Sequence, residues 1–172
     1  VPVDRKAQAI KEALPGANCG ACGYSGCEGY AKALSEGSAP AGLCSPGGAQ
    51  VAEEIASILG TAPAQVEYKT ALVRCNGTTQ NTGVKMEYDG LRSCAAASMF
   101  YGGTGKCSYG CIGYGDCVAA CEYGAIQICN GVAVINPARC KGCNKCVTVC
   151  PKHIIELVSA QAASVVRCRN QD

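Results

Sequence analysis

Four cysteines in the last third of the chain have a spacing that points to iron–sulfur chemistry. They follow the pattern Cys-x2-Cys-x2-Cys-x3-Cys-Pro and are Cys140, Cys143, Cys146 and Cys150. In bacterial ferredoxins, the first three thiolates of this motif bind one [4Fe-4S] cluster and the fourth binds a second cluster. The motif therefore predicts two clusters. Zinc sites are the main alternative, but they usually pair two separated Cys-x2-Cys segments and lack the trailing Cys-Pro.

An internal repeat predicts where the second cluster is bound. Three cysteines stand 29 residues ahead of matching members of the first motif, and these are Cys111, Cys117 and Cys121. Tyr114 occupies the position that corresponds to Cys143, so this copy of the repeat lacks one ligand. The nearest substitute upstream is Cys107.

We therefore expect the two clusters to have crossed ligands. One cluster is assigned to Cys107, Cys111, Cys117 and Cys150. The other is assigned to Cys121, Cys140, Cys143 and Cys146. If Cys107 does not reach the first site, the three remaining thiolates there could hold a three-iron cluster.

A separate set of cysteines lies near the start of the chain. The set follows the pattern Cys-x2-Cys-x4-Cys-x16-Cys and comprises Cys19, Cys22, Cys27 and Cys44. Gly20, Gly23 and Gly26 lie beside these thiols, and glycine lets backbone amides approach a cluster where a side chain would intrude. We expect a third [4Fe-4S] cluster here, with a structural zinc ion as the competing interpretation.

Apolar periodicity predicts helices over Arg5–Leu14 and Gln50–Leu59. A third helix, ended by glycine, is predicted over Glu28–Gly37, where it would bring Cys44 back towards the other thiols.

Candidate strands cover Tyr68–Arg74 and Val84–Tyr88. Apolar runs on both sides of Asn130-Gly131 predict a β-hairpin over residues 125–135 that helps keep water away from the clusters. Together, the predicted helices and strands indicate an α+β fold.

We expect three regions along the chain: a helical four-cysteine [4Fe-4S] domain over residues 1–60, a linking segment with short strands over 61–104, and a two-cluster ferredoxin-like domain over 105–172. The chain has no Trp and a single Phe, so its apolar core is small. Cluster ligation that forms only in the folded state would add its binding free energy to folding.

Four segments carry a resemblance to a known family, and these are Leu14–Gly23, Cys44–Gly48, Ala56–Gly60 and Cys107–Cys111. In combination they resemble the B subunits of the Rnf complex, a membrane-bound ion-translocating ferredoxin:NAD⁺ oxidoreductase. The resemblance extends over nearly the whole chain. The four-cysteine segment alone also resembles corrinoid iron–sulfur and carbon monoxide dehydrogenase proteins. Only the four segments in combination therefore indicate the Rnf family.

The resemblance implies three [4Fe-4S] clusters on the twelve cysteines named above. It also implies that reduced ferredoxin is the electron donor, that other Rnf subunits are partners, and that the protein works at the cytoplasmic face of the bacterial inner membrane. Members of the family begin with a hydrophobic anchor helix, whereas this sequence opens at Val1-Pro2-Val3-Asp4. We therefore expect the sequence to be part of a longer protein whose membrane anchor lies outside it.

Composition narrows the remaining function classes. The formal charge of +2 comes without a basic run, so we expect no nucleic-acid partner. No nucleophile, paired carboxylate or nucleotide-binding loop stands out, so we expect no catalytic residues and an electron relay rather than bond chemistry. Twelve of the sixteen cysteines occur in metal-like motifs, and the sequence shows no signal peptide, which favours a reducing compartment over a disulfide scaffold.

Four cysteines remain unassigned, and these are Cys75, Cys94, Cys129 and Cys168. Their long spacings favour free thiols over a fourth cluster, with a Cys75–Cys94 pair as an alternative. The single histidine, His153, is expected to be exposed to solvent.

Two functions from other classes compete with the Rnf interpretation. One is a soluble polyferredoxin-like carrier or an electron-transfer subunit of a soluble oxidoreductase. The other is a zinc-stabilised interaction module without redox activity.

Overall fold

A computed structural model describes residues 4–171, and the contacts within it divide the chain into two units. The first unit contains the described residues up to Lys69 together with Lys141–Cys143. The second unit contains Thr70–Cys140 and the described residues from Asn144 onwards. The segment 61–104, predicted as a linker, is shared between the two units.

The first unit is built from three helices: α1 (Arg5–Ala13), α2 (Gly26–Ser35) and α3 (Gly48–Leu59). Ile10 of α1, Leu34 of α2 and Ile55 of α3 are almost fully buried against one another. These apolar stripes recur at helical spacing, so packing them together removes one face of each helix from water. The three predicted helices are confirmed, with ends that differ by one or two residues.

The second unit contains short strands and single-turn helices. Strand β1 (Lys69–Val73) begins at the boundary, and α4 (Cys94–Ser98), α5 (Asp116–Ala119), β2 (Ile126–Cys129), β3 (Val132–Ile135), α6 (Lys145–Thr148) and β4 (Ile155–Ser159) follow along the chain. Strand β1 pairs with β4 in one small sheet, and β2 pairs with β3 in another. The chain therefore has the mixed helix and strand content of an α+β fold.

The predicted hairpin is confirmed by β2 and β3, which are antiparallel with Ile126 opposite Ile135. Its turn residues, Asn130 and Gly131, both have positive φ, at 48° and 80°. Asparagine and glycine tolerate this backbone conformation at the lowest cost, which is why the dipeptide predicts such a turn.

The internal repeat is visible in the backbone. Adding 29 residues to the bounds of α5 gives the bounds of α6. The residue before each of these helices is left-handed, with a φ of 85° at Gly115 and 66° at Asn144. The two copies therefore form the same local structure.

The prediction of a strand over Val84–Tyr88 is wrong, because this part of the chain forms only an isolated bridge between Val84 and Gly105. The opposing segment turns at Gly102 and Gly103, which have φ values of 74° and 105°. Such left-handed residues end an extended ladder, so pairing stops after one bridge. Among residues 4–171, no helix has both the length and the apolar character needed to cross a membrane.

Candidate iron–sulfur sites

The four cysteines predicted near the start of the chain line a single cavity in the first unit, and these are Cys19, Cys22, Cys27 and Cys44. The cavity has an empty volume of about 320 Å³. Cys27 lies in the first turn of α2, while Cys44 lies on the segment between α2 and α3. Helix α2 and the segment that follows it therefore bring Cys44 back to the loop that carries Cys19 and Cys22.

Asn18 organises the loop that carries the first two thiols. Its side-chain oxygen accepts a hydrogen bond from the backbone N–H of Cys27 at 2.9 Å, and its amide nitrogen donates to the carbonyl oxygen of Gly16 at 3.2 Å. Gly26 has a φ of 88°, and a Cβ atom there would lie 2.8 Å from Asn18 Oδ1. Glycine at position 26 therefore permits both the left-handed turn and the contact with Asn18.

Tyr30 forms a buried wall of the same cavity and is 1% exposed. Its hydroxyl donates to the carbonyl oxygen of Pro40 at 2.7 Å and accepts from the N–H of Leu43 at 3.2 Å. Burial raises the pKa of Tyr30 to about 12, and the Leu43 N–H opposes this rise only in part. The neutral hydroxyl thus ties α2 to the segment that delivers Cys44.

Burial also raises the pKa of the Cys44 thiol, against a backbone hydrogen bond from Gly47 that lowers it, and the other three thiols raise it further. Four mutually repelling thiolates in such a cavity require positive charge among them. Bound iron would supply this charge and displace the thiol protons, so the donor set fits an iron–sulfur cluster.

A second cavity, in the second unit, has an empty volume of about 370 Å³. Four cysteines line it, and these are Cys94, Cys111, Cys117 and Cys150. Three of these were predicted at one site from the repeat. Cys107, the predicted fourth ligand, is not among the residues that line this cavity, whereas Cys94 is.

The walls of this second cavity are mostly aliphatic. Ile128 and Ala133 of the hairpin contribute to the lining, as do Ile154 and Ile155 near the start of β4. The hairpin therefore lies against the cysteines, where it was predicted to exclude water. Solvent exclusion of this kind is one of the means by which a protein sets the potential of a cluster.

Electrostatics in the second cavity resemble those in the first. Burial raises the pKa of Cys117 to about 12, and the neighbouring Cys111, Cys94 and Cys150 add to the rise. Burial also raises the pKa of Cys111, although backbone groups of Ala133 and Gly113 donate hydrogen bonds that lower it. Backbone N–H groups aimed at sulfur are a common feature of cluster sites.

Asp116 positions the segment that carries Cys94. Its carboxylate accepts hydrogen bonds from the backbone N–H of Cys94 at 2.9 Å, from that of Ala95 at 3.0 Å and from the hydroxyl of Ser93 at 3.0 Å. Desolvation raises the pKa of Asp116, but these hydrogen bonds outweigh it and lower the pKa overall. Because Asp116 precedes Cys117, the carboxylate connects two residues of the cavity directly.

The cysteines assigned to the other ferredoxin-type cluster lie mostly in the core of the second unit. Cys121, Cys140 and Cys146 pack with the same apolar cluster of residues. The Cys121 sulfur accepts a hydrogen bond from the N–H of Ala125 at 3.4 Å, and the Cys140 sulfur accepts one from Ala71 at 3.3 Å. Cys143 is buried and belongs to the short segment grouped with the first unit.

No disulfide joins cysteines within residues 4–171, so the alternative of a Cys75–Cys94 disulfide is wrong. Cys75 is buried, and its sulfur accepts hydrogen bonds from the N–H groups of Gly77 and Cys111 at 3.3 Å. Cys129 lies in β2 and Cys168 is exposed. His153 is exposed, as predicted.

Within residues 4–171, no three His, Cys, Asp or Glu side chains are close enough to bind a single metal ion. Zinc would require its sulfur ligands at about 2.3 Å from one ion. A [4Fe-4S] cluster makes a different demand, because each thiolate binds a different iron and the sulfurs surround the whole cluster.

Cys94 is the site residue that sequence spacing missed. It lies 17 residues ahead of Cys111 and outside both copies of the repeat. The available signal was Ser93, whose hydroxyl accepts from the N–H of Ala96 and caps α4. A capped turn of small residues after Ser-Cys indicates an ordered segment rather than a linker.

Family models and curated relatives agree with this geometry. A model described as a putative Fe-S cluster matches residues 14–46, and one described as a 4Fe-4S binding domain matches residues 132–155. The first match covers all four cysteines of the first cavity. The second covers the better preserved copy of the repeat. Both support iron–sulfur clusters as the cofactors of this chain.

Three curated relatives extend the comparison beyond these segments, and one of them covers nearly the whole chain. The B subunit of the Na⁺-translocating ferredoxin:NAD⁺ oxidoreductase complex of Acetobacterium woodii is 40% identical over 98% of this chain and 51% of its own length. The chain is a homologue of these B subunits. The B subunit of the ion-translocating oxidoreductase complex of Methanosarcina acetivorans is 39% identical over 78% of this chain and 51% of its own length. The B subunit of the proton-translocating ferredoxin:NAD⁺ oxidoreductase complex of Clostridium ljungdahlii is 40% identical over 74% of this chain and 45% of its own length.

The homology to B subunits of Rnf-type complexes agrees with the resemblance carried by the sequence motifs. The chain spans about half the length of the curated B subunits that it matches.

Proposed function

We propose that this chain is the electron-relay part of a B subunit in a membrane-bound, ion-translocating ferredoxin:NAD⁺ oxidoreductase of the Rnf type. The observation that carries the proposal is the convergence of four thiols in each of two separate cavities, in a chain that is homologous to such subunits. Reduced ferredoxin is the proposed donor and other Rnf subunits are the proposed acceptors. The proposed location is the cytoplasmic face of the bacterial inner membrane.

Three [4Fe-4S] clusters are proposed as the cofactors. One belongs to the cavity of the first unit, and two belong to the second half of the chain in a bacterial-ferredoxin-like arrangement with crossed ligands. The 29-residue structural repeat supports this arrangement, because each copy supplies a short helix with a cysteine and a further cysteine beyond it.

When bound, such clusters accept and donate single electrons. The chain supplies what surrounds them. Thiols would bind the iron, backbone N–H groups donate to sulfur, and buried aliphatic residues such as Ile154 and Ile155 exclude water. No bond of a substrate is made or broken by these residues.

The decisive test is cofactor content and donor reactivity of protein purified under anaerobic conditions. We expect about 12 irons and about 12 acid-labile sulfides per chain, since each of three clusters holds four of each. Adding reduced ferredoxin should bleach the visible absorption within seconds. A colourless protein that contains zinc would contradict the cluster proposal, and clusters that ferredoxin does not reduce would contradict the proposed donor.

A further inference from the structure

We infer that Cys94, rather than Cys107, is the fourth thiolate ligand of the cluster in the second unit, an inference that rests on the proposed function. The repeat supplies only three thiols for this cluster, because Tyr114 stands where the other copy has Cys143. Cys94 completes the set from outside the repeat. The cofactor it would bind is a [4Fe-4S] cluster shared with Cys111, Cys117 and Cys150.

The first argument is convergence. Cys94, Cys111, Cys117 and Cys150 line the same cavity, and the other walls are mostly aliphatic. Four thiols that line one largely aliphatic cavity supply the complete set of sulfur ligands that a [4Fe-4S] cluster needs.

The second argument is that Cys94 is held in place. Asp116 accepts hydrogen bonds from two backbone N–H groups of α4, and it precedes the ligand Cys117 in sequence. A side chain that bridges two parts of one cavity fixes their separation. Cys94 is 9% exposed, so its thiol is delivered to the interior.

The third argument concerns Tyr114, which occupies the place of the missing ligand. Its ring lies 6.3 Å from the ring of Tyr88, and Tyr88 lies 5.5 Å from Phe100. These centroid distances fall within the range of favourable aromatic pairs. Tyr88 precedes α4 in sequence and Phe100 follows it, so the ring of Tyr114 pairs with the part of the chain that leads into the helix of Cys94.

The fourth argument excludes the competing thiols. Cys107 is half-buried and does not line the cavity. Cys75 is buried, but its sulfur accepts hydrogen bonds from Gly77 and Cys111 and also lies outside the cavity lining. Cys75 therefore acts as a hydrogen-bond acceptor beside the site.

The test compares Cys94→Ala, Cys107→Ala and Cys75→Ala in the chain purified anaerobically. We expect Cys94→Ala to lose between about one and four of about 12 irons and to show a three-iron paramagnetic resonance signal when oxidised. Cys107→Ala and Cys75→Ala should keep the full iron content. A full complement in Cys94→Ala, or a loss in Cys107→Ala with a new three-iron signal, would overturn the inference.

A measurement on the unaltered protein guards against variants that fail to fold. Anaerobic alkylation followed by mass spectrometry should label Cys107 while the clusters are bound and should label Cys94 only after the iron has been chelated. Protection of Cys107 that disappears on chelation would overturn the inference. If the unaltered protein holds no iron, the proposed function fails, whereas intact clusters with Cys107 as a ligand refute only this inference.

Discussion

The carboxylate of Asp116 accepts a hydrogen bond from the backbone N–H of Cys94 at 2.9 Å. This single contact joins a cysteine outside the repeat to the residue that precedes Cys117. Replacing Asp116 with alanine removes this bond together with those from Ala95 and Ser93. We expect a stability loss of about 1 kcal/mol, comparable to losing a helix cap, and faster removal of iron by a chelator.

A role of Asp116 in positioning is distinguished from a general loss of stability by its conservative variant. Asp116→Asn keeps one acceptor oxygen, so it should recover much of the resistance to chelation. As a control, Glu53→Ala removes an exposed carboxylate of α3 in the first unit. Equal rates of iron loss in Asp116→Ala and Glu53→Ala would contradict the positioning role.

Placing a cysteine at position 114 tests whether the repeat correctly predicts which side chains face the cluster site. We expect Tyr114→Cys to restore iron content in a Cys94→Ala background, because position 114 corresponds to Cys143 in the other copy. The measurement is iron per chain, with Tyr114→Ser in the same background as the matched control. If both double variants hold as little iron as Cys94→Ala alone, position 114 does not face the site.

Crossed ligation makes opposite predictions for Cys150 and Cys121. Cys150→Ala should damage the cluster in the cavity of the second unit, because Cys150 lines that cavity. The alkylation pattern identifies the damaged site: Cys111 and Cys117 should become reactive in Cys150→Ala. In Cys121→Ala the newly reactive cysteines should be Cys140 and Cys146. The reverse pattern would show that each repeat binds its own cluster.

Removing the hydroxyl of Tyr30 should destabilise the first unit. In Tyr30→Phe, the carbonyl oxygen of Pro40 and the N–H of Leu43 lose their partner inside the protein. Leaving buried polar groups unpaired costs about 1–3 kcal/mol, which denaturant unfolding can measure. Tyr68 is 53% exposed, so Tyr68→Phe is the control and should change stability little. An equal effect of both substitutions would contradict the structural role of the Tyr30 hydroxyl.

Asp4 gives a prediction about pH. The hydroxyl of Ser35 is the largest cause that lowers the pKa of Asp4 below 3.8, and the Ala7 N–H adds to it. A lowered pKa means that the charged form stabilises the fold fully above about pH 4 and that this contribution is lost as the pH falls through the native value. Asp4→Ala should therefore lower the melting temperature by the same amount at pH 7, 6 and 5.

Ser35→Ala is the matched control for Asp4, because it removes the same hydrogen bond from the other side. It should produce a smaller decrease, since Asp4 still accepts from the N–H groups of Lys6 and Ala7. A difference between wild type and Asp4→Ala that already shrinks from pH 7 to pH 5 would contradict the lowered pKa.

Local sequence patterns were sufficient to predict most of the helices, the hairpin and the cysteines of the first cavity. Helical periodicity, the Asn130-Gly131 turn and the 29-residue repeat each depend on residues close in sequence, and the structure contains the corresponding elements. The four cysteines of the first cavity were also found from spacing, because a single helix and its flanking loops bring them together. Homology then agreed with the family that the motifs indicated.

Only the tertiary structure singled out Cys94. Spacing favoured Cys107 because it is the nearest upstream thiol, but nearness along the chain does not decide which side chain enters a cavity. The segment from Cys75 to Cys107 has no periodic pattern, and the entropic cost of closing a loop rises only slowly with its length. The contacts of Asp116 with Cys94 and of Tyr114 with Tyr88 decide how this segment folds back, and these contacts join residues that share no local motif.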